Sequence, residues 1–262
     1  MEILVCIKRV PDTSENEIVI KKDGTDIERG DLVYSVNEWD NYAVEEAIQI
    51  RDNVGGTVTV VSVGSSDSEE QLRRQMAMGA DKGVLLSDKA FDGSDGKGIA
   101  SILKAFAQKG KYDLILTGAQ ADDGAGQVGG MLAAMLDLPY ASLVNKIEIN
   151  DKKIKVGREI EGGNQEMNEM DLPCVLSIQT GINEPRYVGI RGIRKVASVE
   201  IPVHNASALG IDPKTVGQAG AKVSRVDYFV PVLGKGAEML AGSTDELVEK
   251  TIELLKSKGG IK

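Results

Sequence analysis

The sequence predicts an α/β protein: a doubly wound, mostly parallel, Rossmann-like sheet with an antiparallel extension and a C-terminal arm. Three observations predict it. Up to Pro139, short runs rich in branched residues alternate with helical stretches of about a dozen residues, the pattern of parallel strands joined by right-handed crossovers. Beyond Pro139, strand-like segments follow one another without helices between them, and from about Val199 the periodicity fades.

ILVCI near the N-terminus is a branched apolar run suited to a strand buried on both faces. EIVIKKDGTDIE reads as a hairpin with Asp23-Gly24 at its tip. Asn37 then precedes EWDNYAVEEAIQIRDN, where Ala43, Ala47, Ile48 and Ile50 fall near helical spacing, so the asparagine stands where a helix cap is expected. TVTVVSVG is the next buried strand. In SSDSEEQLRRQMAMGA, Ser66 or Asp67 can cap a helix whose Leu72, Met76 and Gly79 share a face. GVLLSD is a strand, Ser94 or Asp95 opens the helix GKGIASILKAFAQKG, YDLILTG is another strand, and MLAAMLDLP is helical. SLVNKIEIN, KKIKVGREIE, NQEMNEM and LPCVLSIQT are read together as the antiparallel extension, broken at Asn150-Asp151 and Gly162-Gly163. The long stretch after Val199, with scattered Gly and Pro, reads as an arm lying on a partner, closed by the amphipathic helix TDELVEKTIELLKSKG. The expected division is therefore residues 1–198 for the α/β body with its antiparallel extension and 199–262 for the arm.

Composition narrows the function classes. Among 262 residues, 31 Lys and Arg stand against 40 Asp and Glu, a net charge of −9, which disfavours sequence-independent binding to nucleic acid or anionic lipid. His204 is the only histidine and lies far from any acid or cysteine cluster, so it is read as structural, and multi-His metal sites are disfavoured. Cys6 and Cys174 fall inside predicted strands as buried thiols, and two such cysteines point to a reducing compartment. MEILVCIKRV lacks a cleavage pattern and no apolar run approaches a membrane span, which gives the expectation of a soluble, cytoplasmic chain without membrane insertion.

In such a sheet, ligands collect beyond the carboxyl ends of the strands. The sequence places four segments there: Lys8 to Asp12, Asn37 to Asp40, Val63 to Ser65, and Gly118 to Gly129. The last, in GAQADDGAGQVGGM, is a strand-to-helix turn whose glycines let backbone N–H groups approach an anion at a helix N-terminus. It lacks a Gly-Lys-Ser/Thr ending, which disfavours ATP hydrolysis by a P-loop mechanism, and no Gly-x-Gly-x-x-Gly follows the first strand. On residue types alone the loop is either a phosphate cradle or a tight connection. Of Asp122 and Asp123, one is read as bonding a ribose or capping the helix and the other as solvated. Lys8-Arg9 is either a solvated strand end or a contact to a phosphate or partner. Met76, Met78, Met131 and Met135 are read as core.

Several motifs, in order and spread along nearly the whole chain, resemble the small (beta) subunit of electron transfer flavoproteins: VCIKRVPDT, SVNEWDNYAVEEA, AMGAD, QADDGAGQVGGMLA, VGREIEGGNQE, LPCVLSIQTGINEPRY and GIRGIRKVA. The resemblance implies a heterodimer with a larger alpha subunit that carries the redox-active FAD, accepting electrons from flavin-dependent dehydrogenases and passing them on. It implies AMP as a structural ligand of this subunit, with contacts falling on Cys6, Asn37, Glu38, Trp39, Asp40, Val63, Asp123, Gly126, Gln127, Val128 and Gly129. Trp39 takes the place of a family aromatic that approaches the alpha-subunit flavin. Gly181, Ile182, Asn183, Glu184, Pro185, Arg186 and Tyr187 resemble the loop that grips dehydrogenases, with Ile182 as its apolar tip and the rest holding its shape. The loop is one residue shorter ahead of Gln127 than the family motif, so no role carries over to Gln120 or Asp122. A related group holds a second FAD in the same crevice and uses NADH for electron bifurcation; the NEWD segment is more similar to the AMP-holding group. The rival class is a stand-alone ATP-binding α/β module.

Overall fold

Nine strands form one sheet in the order β11-β5-β4-β1-β6-β10-β7-β8-β9 in the computed structural model, which describes residues 1–234 and 236–261. Its strands are β1 (Glu2–Ile7), β4 (Thr57–Val63), β5 (Lys82–Leu86), β6 (Leu114–Gly118), β7 (Tyr140–Asn150), β8 (Lys153–Ile160), β9 (Asn164–Asp171), β10 (Cys174–Ile178) and β11 (Val203–His204). From β11 to β7 the pairings are parallel, and β7-β8 and β8-β9 are antiparallel. A separate pair, β2 (Arg9–Pro11) with β3 (Tyr34–Val36), is antiparallel.

The helices follow from the alternation in sequence. The first two, α1 (Glu38–Val54) and α2 (Glu69–Met78), cover one face of the sheet, and α3 (Gly96–Ala107) and α4 (Val128–Leu136) cover the other. Side-chain alternation along β1 divides the core accordingly: Ile3, Val5 and Ile7 pack with Val44, Ala47, Ile48 and Leu72, whereas Leu4 and Cys6 pack with Ile102, Leu103 and Leu132. Fully burying one such aliphatic side chain contributes about 1.5–3 kcal/mol, which is why unbroken branched runs settle at the centre of the sheet. The chain runs from β1 outward through β4 to β5, then crosses back to β6 on the other side of β1. The carboxyl ends of β1 and β6 are therefore the topological switch point.

Four expectations change. Cys174–Ile178 does not join the antiparallel extension; it inserts between β6 and β7, parallel to both, as the fully buried strand its apolar run suits. The Asp23-Gly24 tip turns as expected, but its arms meet only at the Ile20–Ile27 bridge, with Ile18 and Val19 exposed. Ser66–Ser68 form a 3-10 turn ahead of α2, and neither Ser66 nor Asp67 caps that helix. The chain also leaves the body later than position 199. β11 pairs with Leu85 and Leu86, α6 (Ala206–Leu209) and α7 (Gly217–Gly220) fold back, and Ile201, Ala206, Leu209 and Val216 are buried. A further helix, α5 (Ile190–Val196), packs on α2.

The arm proper runs on from there, with exposed Val226, Phe229, Val230, Val232 and Leu233, to α8 (Thr244–Ser257), opened by the Ser243–Glu246 capping box. His204 sits at the sheet edge with its ring against Phe106, as a structural histidine would. Met76 and Met78 are buried, and Met131 and Met135 are partly buried against the second core cluster, as predicted.

Candidate functional site

At the switch point the backbone is tied by one carboxylate. Asp40, in the first turn of α1, accepts the Lys8 N–H on Oδ2 at 2.7 Å and the Gly118 N–H on Oδ1 at 3.0 Å, closing the seam between the ends of β1 and β6. It is buried, and burial pushes its carboxyl up to about 7, against the hydrogen bonds from Lys8, Asn37 and Gly118. Gly118 has to be glycine here, because a Cβ would collide with Asp40 Oδ1 and with the Trp39 Cβ.

Asn37 stands at the cap position of α1 but caps nothing. Its Nδ2 donates to Gln120 O at 2.8 Å, its N–H donates to Lys8 O at 2.9 Å, and its buried Oδ1 has no partner. The loop after β6 is thus stitched to α1 and to the end of β1 at once. Inside it, Asp123 is ion-paired with Lys8 and approached by Arg225 from the arm, and neither it nor the exposed Asp122 caps α4. Gly126 takes a left-handed φ of 63°, and Gln127 leads into α4 with its side chain against Gly96, the first residue of α3.

The first turn of α4 rests on a chain of hydroxyls. Thr117 Oγ1 lies 2.8 Å from Ser177 Oγ, which lies 2.9 Å from the Tyr140 hydroxyl, and a Cβ on Gly129 would collide with the first two. That glycine lets the helix N-terminus settle directly on the sheet, where its free N–H groups favour an anion. Cys6 and Val63 belong to the neighbouring strand ends, on the same face of the sheet as α3 and α4; burial and the nearby Asp40 push the Cys6 thiol up, so it is an inert wall rather than a nucleophile.

Glu38 departs from this group. It is exposed and lines, with Asp122, a separate groove of about 790 Å³ between the β2-β3 pair and α2 and α5. Trp39 has its Cβ against Gly118, and its Nε1–H donates to Gln179 Oε1 at 3.2 Å.

The segment Gly181 to Tyr187 is anchored on α1. Asn183 Nδ2 donates to Tyr42 O at 3.1 Å and to Glu46 Oε2 at 3.0 Å, and Arg186 makes a two-pronged contact with Glu45 at 2.8 and 3.0 Å. Burial tends to raise the Glu45 carboxyl, but hydrogen bonds from Arg186 and Gln49 outweigh it and hold it below the usual range; Glu46 is pushed up by burial. Asn183 and Arg186 therefore tie the segment to α1. Ile182 is not an outward tip. It is half-buried and packs on the core beside Val188, while Tyr187, Ile190 and Ile193 are 91, 68 and 52 % exposed. The loop has to fold this way because its two anchors face α1, which turns the residue between Gly181 and Asn183 inward.

Sequence reasoning passed over Glu45, Glu46, Gln179 and Arg225. A signal existed for the glutamates, since two acids sit among Ala43, Val44, Ala47 and Ile48 on the apolar face of a helix. Among the described residues no cluster of three His, Cys, Asp or Glu could hold a metal ion, and no helix is long and apolar enough to cross a membrane.

Residues 26–209 match the family model described as electron transfer flavoprotein domain. The chain is 38% identical to the electron transfer flavoprotein subunit beta of Thermoanaerobacterium thermosaccharolyticum, over 98% of this chain and 99% of that one. It is equally similar, at 38% over the same shares, to the caffeyl-CoA reductase-Etf complex subunit CarD of Acetobacterium woodii. It is 34% identical, over 98% of this chain and 99% of that one, to the acryloyl-CoA reductase electron transfer subunit gamma of Anaerotignum propionicum.

Proposed function

Because the chain belongs to the electron transfer flavoprotein family, as a counterpart of its beta subunits, we propose that it is the small subunit of a heterodimer shuttling electrons from flavin-dependent dehydrogenases to a downstream acceptor. Its own crevice holds AMP structurally, and the redox chemistry belongs to the FAD of the alpha subunit. The observation that carries this reading is the glycine loop between β6 and α4 at the switch point, with α4 seated so that its N-terminus faces the seam.

The residues present suit such a ligand. Gly126 and Gly129 allow backbone N–H groups to approach a phosphate, with Asp123, Gln127 and Val128 around it, and the unpartnered Oδ1 of Asn37, whose amide is bonded to the same loop, offers a hydrogen-bond acceptor. Asp40 has both oxygens committed to backbone, so its part is to fix the seam and not to touch the ligand. The run of exposed apolar residues from Val226 to Leu233 supports a chain that is completed by a partner, since a stand-alone ATP-binding module would leave that surface in water. Two free, buried cysteines suit a cytoplasmic setting.

We assign dehydrogenase docking to the surface that begins at Gly181 and ends on α5. Asn183 and Arg186 hold it, and Tyr187, Ile190 and Ile193 present its apolar face. The relatives named for reductase complexes give weight to a second reading, in which the crevice holds another FAD and NADH is the donor. Nucleotides released by denaturing the purified heterodimer decide between them. One AMP and one FAD are expected; two FAD without AMP establish the second reading, and a heterodimer without AMP or a second FAD overturns both.

A further inference from the structure

The loop between β6 and α4 carries no lysine or arginine of its own, yet two cations reach it from distant parts of the chain. Lys8, just beyond β1, is ion-paired through Nζ with Asp123 Oδ1. Arg225, at the root of the arm, donates from Nη2 to Asp123 O at 3.0 Å and lies 3.6 Å from Asp123 Oδ2. The arm root is pinned on either side of Arg225: Lys222 donates its N–H to Asp95 Oδ2 at 2.7 Å, and Tyr228 donates its N–H to Gly24 O at 2.8 Å. Asp95 also caps α3 through the Gly98 N–H, next to the Gln127 side chain, so the root is built against the same corner of the crevice.

In a protein of net charge −9, two cations converge here on one carboxylate that they share. The three side chains are 41 to 56 % exposed, so the pairs are weak and exchangeable in water. Lys8 Nζ also lies over the glycine loop, within 3.9 Å of where a Cβ on Gly124 would stand. The buried, unpartnered Oδ1 of Asn37 belongs to the amide bonded to the same loop at Gln120.

We propose that Lys8 and Arg225 are the phosphate-binding cations of the nucleotide site, releasing Asp123 to hold the phosphate of an adenine nucleotide. That phosphate belongs to AMP or to the adenosine half of a second FAD. The inference rests on the nucleotide reading above and adds to it that the site is completed by the C-terminal arm. A phosphate dianion satisfies both cations where one carboxylate satisfies them in part, and it does so at the point where the α4 N-terminus adds to the attraction.

The test is calorimetric titration of the heterodimer, depleted of nucleotide by dialysis, with AMP, FAD and adenosine. The unaltered protein is expected to bind AMP or FAD in preference to adenosine, and the tighter of the two identifies the source of the phosphate. Lys8→Met and Arg225→Met are each expected to weaken that nucleotide about tenfold or more and to leave adenosine binding unchanged, with Lys8→Arg keeping most of the affinity. Unchanged nucleotide affinity in both Met variants overturns the assignment and leaves the nucleotide reading intact. Equal loss for nucleotide and adenosine also overturns it, since the cations would then serve the fold. Failure of the unaltered protein to bind any of the three removes the nucleotide reading itself.

Discussion

Docking should depend on Ile190 and stability on Ile182, the reverse of what the loop motif alone suggests. Ile190 is 68 % exposed at the start of α5, so about two thirds of it remains to be buried by a partner. Complete burial of an isoleucine contributes about 1.5–3 kcal/mol, and two thirds of that, about 1–2 kcal/mol, corresponds to a loss of roughly 5- to 30-fold in affinity on truncation. Ile190→Ala should change folding little, because alanine is the better helix former and only the smaller part of the isoleucine is covered by the body. Ile182 packs on the core beside Val188, so Ile182→Ala should lower stability by about 1–2 kcal/mol, the low end for a buried aliphatic because the site is only half-buried. The assay is stopped-flow reduction of the heterodimer by its dehydrogenase over a range of concentrations, paired with urea unfolding. Weaker docking in Ile182→Ala at unchanged stability, with Ile190→Ala indistinguishable from the parent, would refute the orientation of this segment.

Three further outcomes follow from the site geometry. Arg186→Met leaves the buried Glu45 with Gln49 as its remaining side-chain partner and should cost about 1–3 kcal/mol by urea unfolding; Arg186→Lys should not restore it, lacking the two-pronged geometry. The Glu45 carboxyl is held low in the folded state, so its contribution is present above the ordinary glutamate range and is lost as pH falls through the folded value, which a pH series on the parent should show as a steepening acid limb. Gly129→Ala should abolish nucleotide retention, and Ser177→Ala should recover part of it by removing one of the two hydroxyls in the way, a coupling that a double-mutant cycle on nucleotide content measures. Asp40 is raised from 3.8 to about 7, so the folded chain holds a proton there that the unfolded chain releases. Stability should therefore rise as pH falls from about 7 towards 4, by up to about 1.4 kcal/mol per unit, and Asp40→Asn should flatten that slope in chemical denaturation.

How far these features are legible in the sequence depends on the range of the signal. The strands β1, β4, β5 and β6 are continuous branched runs, and burial on both faces leaves no other comfortable place for them. Cys174–Ile178 has the same composition, but a five-residue run carries no direction, and its neighbours in sequence are antiparallel. α5 is hidden because GIRGIRKV is short, carries two glycines around its start and buries only Val196. Residues 201–220 look like an arm because their buried positions, Ile201, Ala206, Leu209 and Val216, sustain no helical or strand spacing beyond the single pair Ala206 and Leu209. At the site, the glycines and Asn37 are readable because backbone geometry limits which residues can stand there. Of the two cations, Lys8 is readable as one of two alternatives, since it stands at the end of the first strand; Arg225 is not, because it comes from the far end of the chain and no local pattern marks it.

A single helix joins the two surfaces. The first turn of α1 carries Trp39 and Asp40, with Asn37 just ahead of it on the nucleotide loop, and its second turn carries Tyr42, Glu45 and Glu46, which hold the docking segment. At 1.5 Å per residue the two sets are separated by roughly 10 Å along one rigid rod. Gln179 ties them a second time, since it accepts from the Trp39 indole while its own chain continues directly into Gly181. Gln179 and α1 therefore tie the segment after Gly181 to Trp39, whereas the loop after β6 is held to the same helix by Asn37 and Asp40. A nucleotide bound there, as proposed, would act without chemistry of its own: by fixing the loop after β6 it would fix the start of α1, where Asn37 and Asp40 hold that loop.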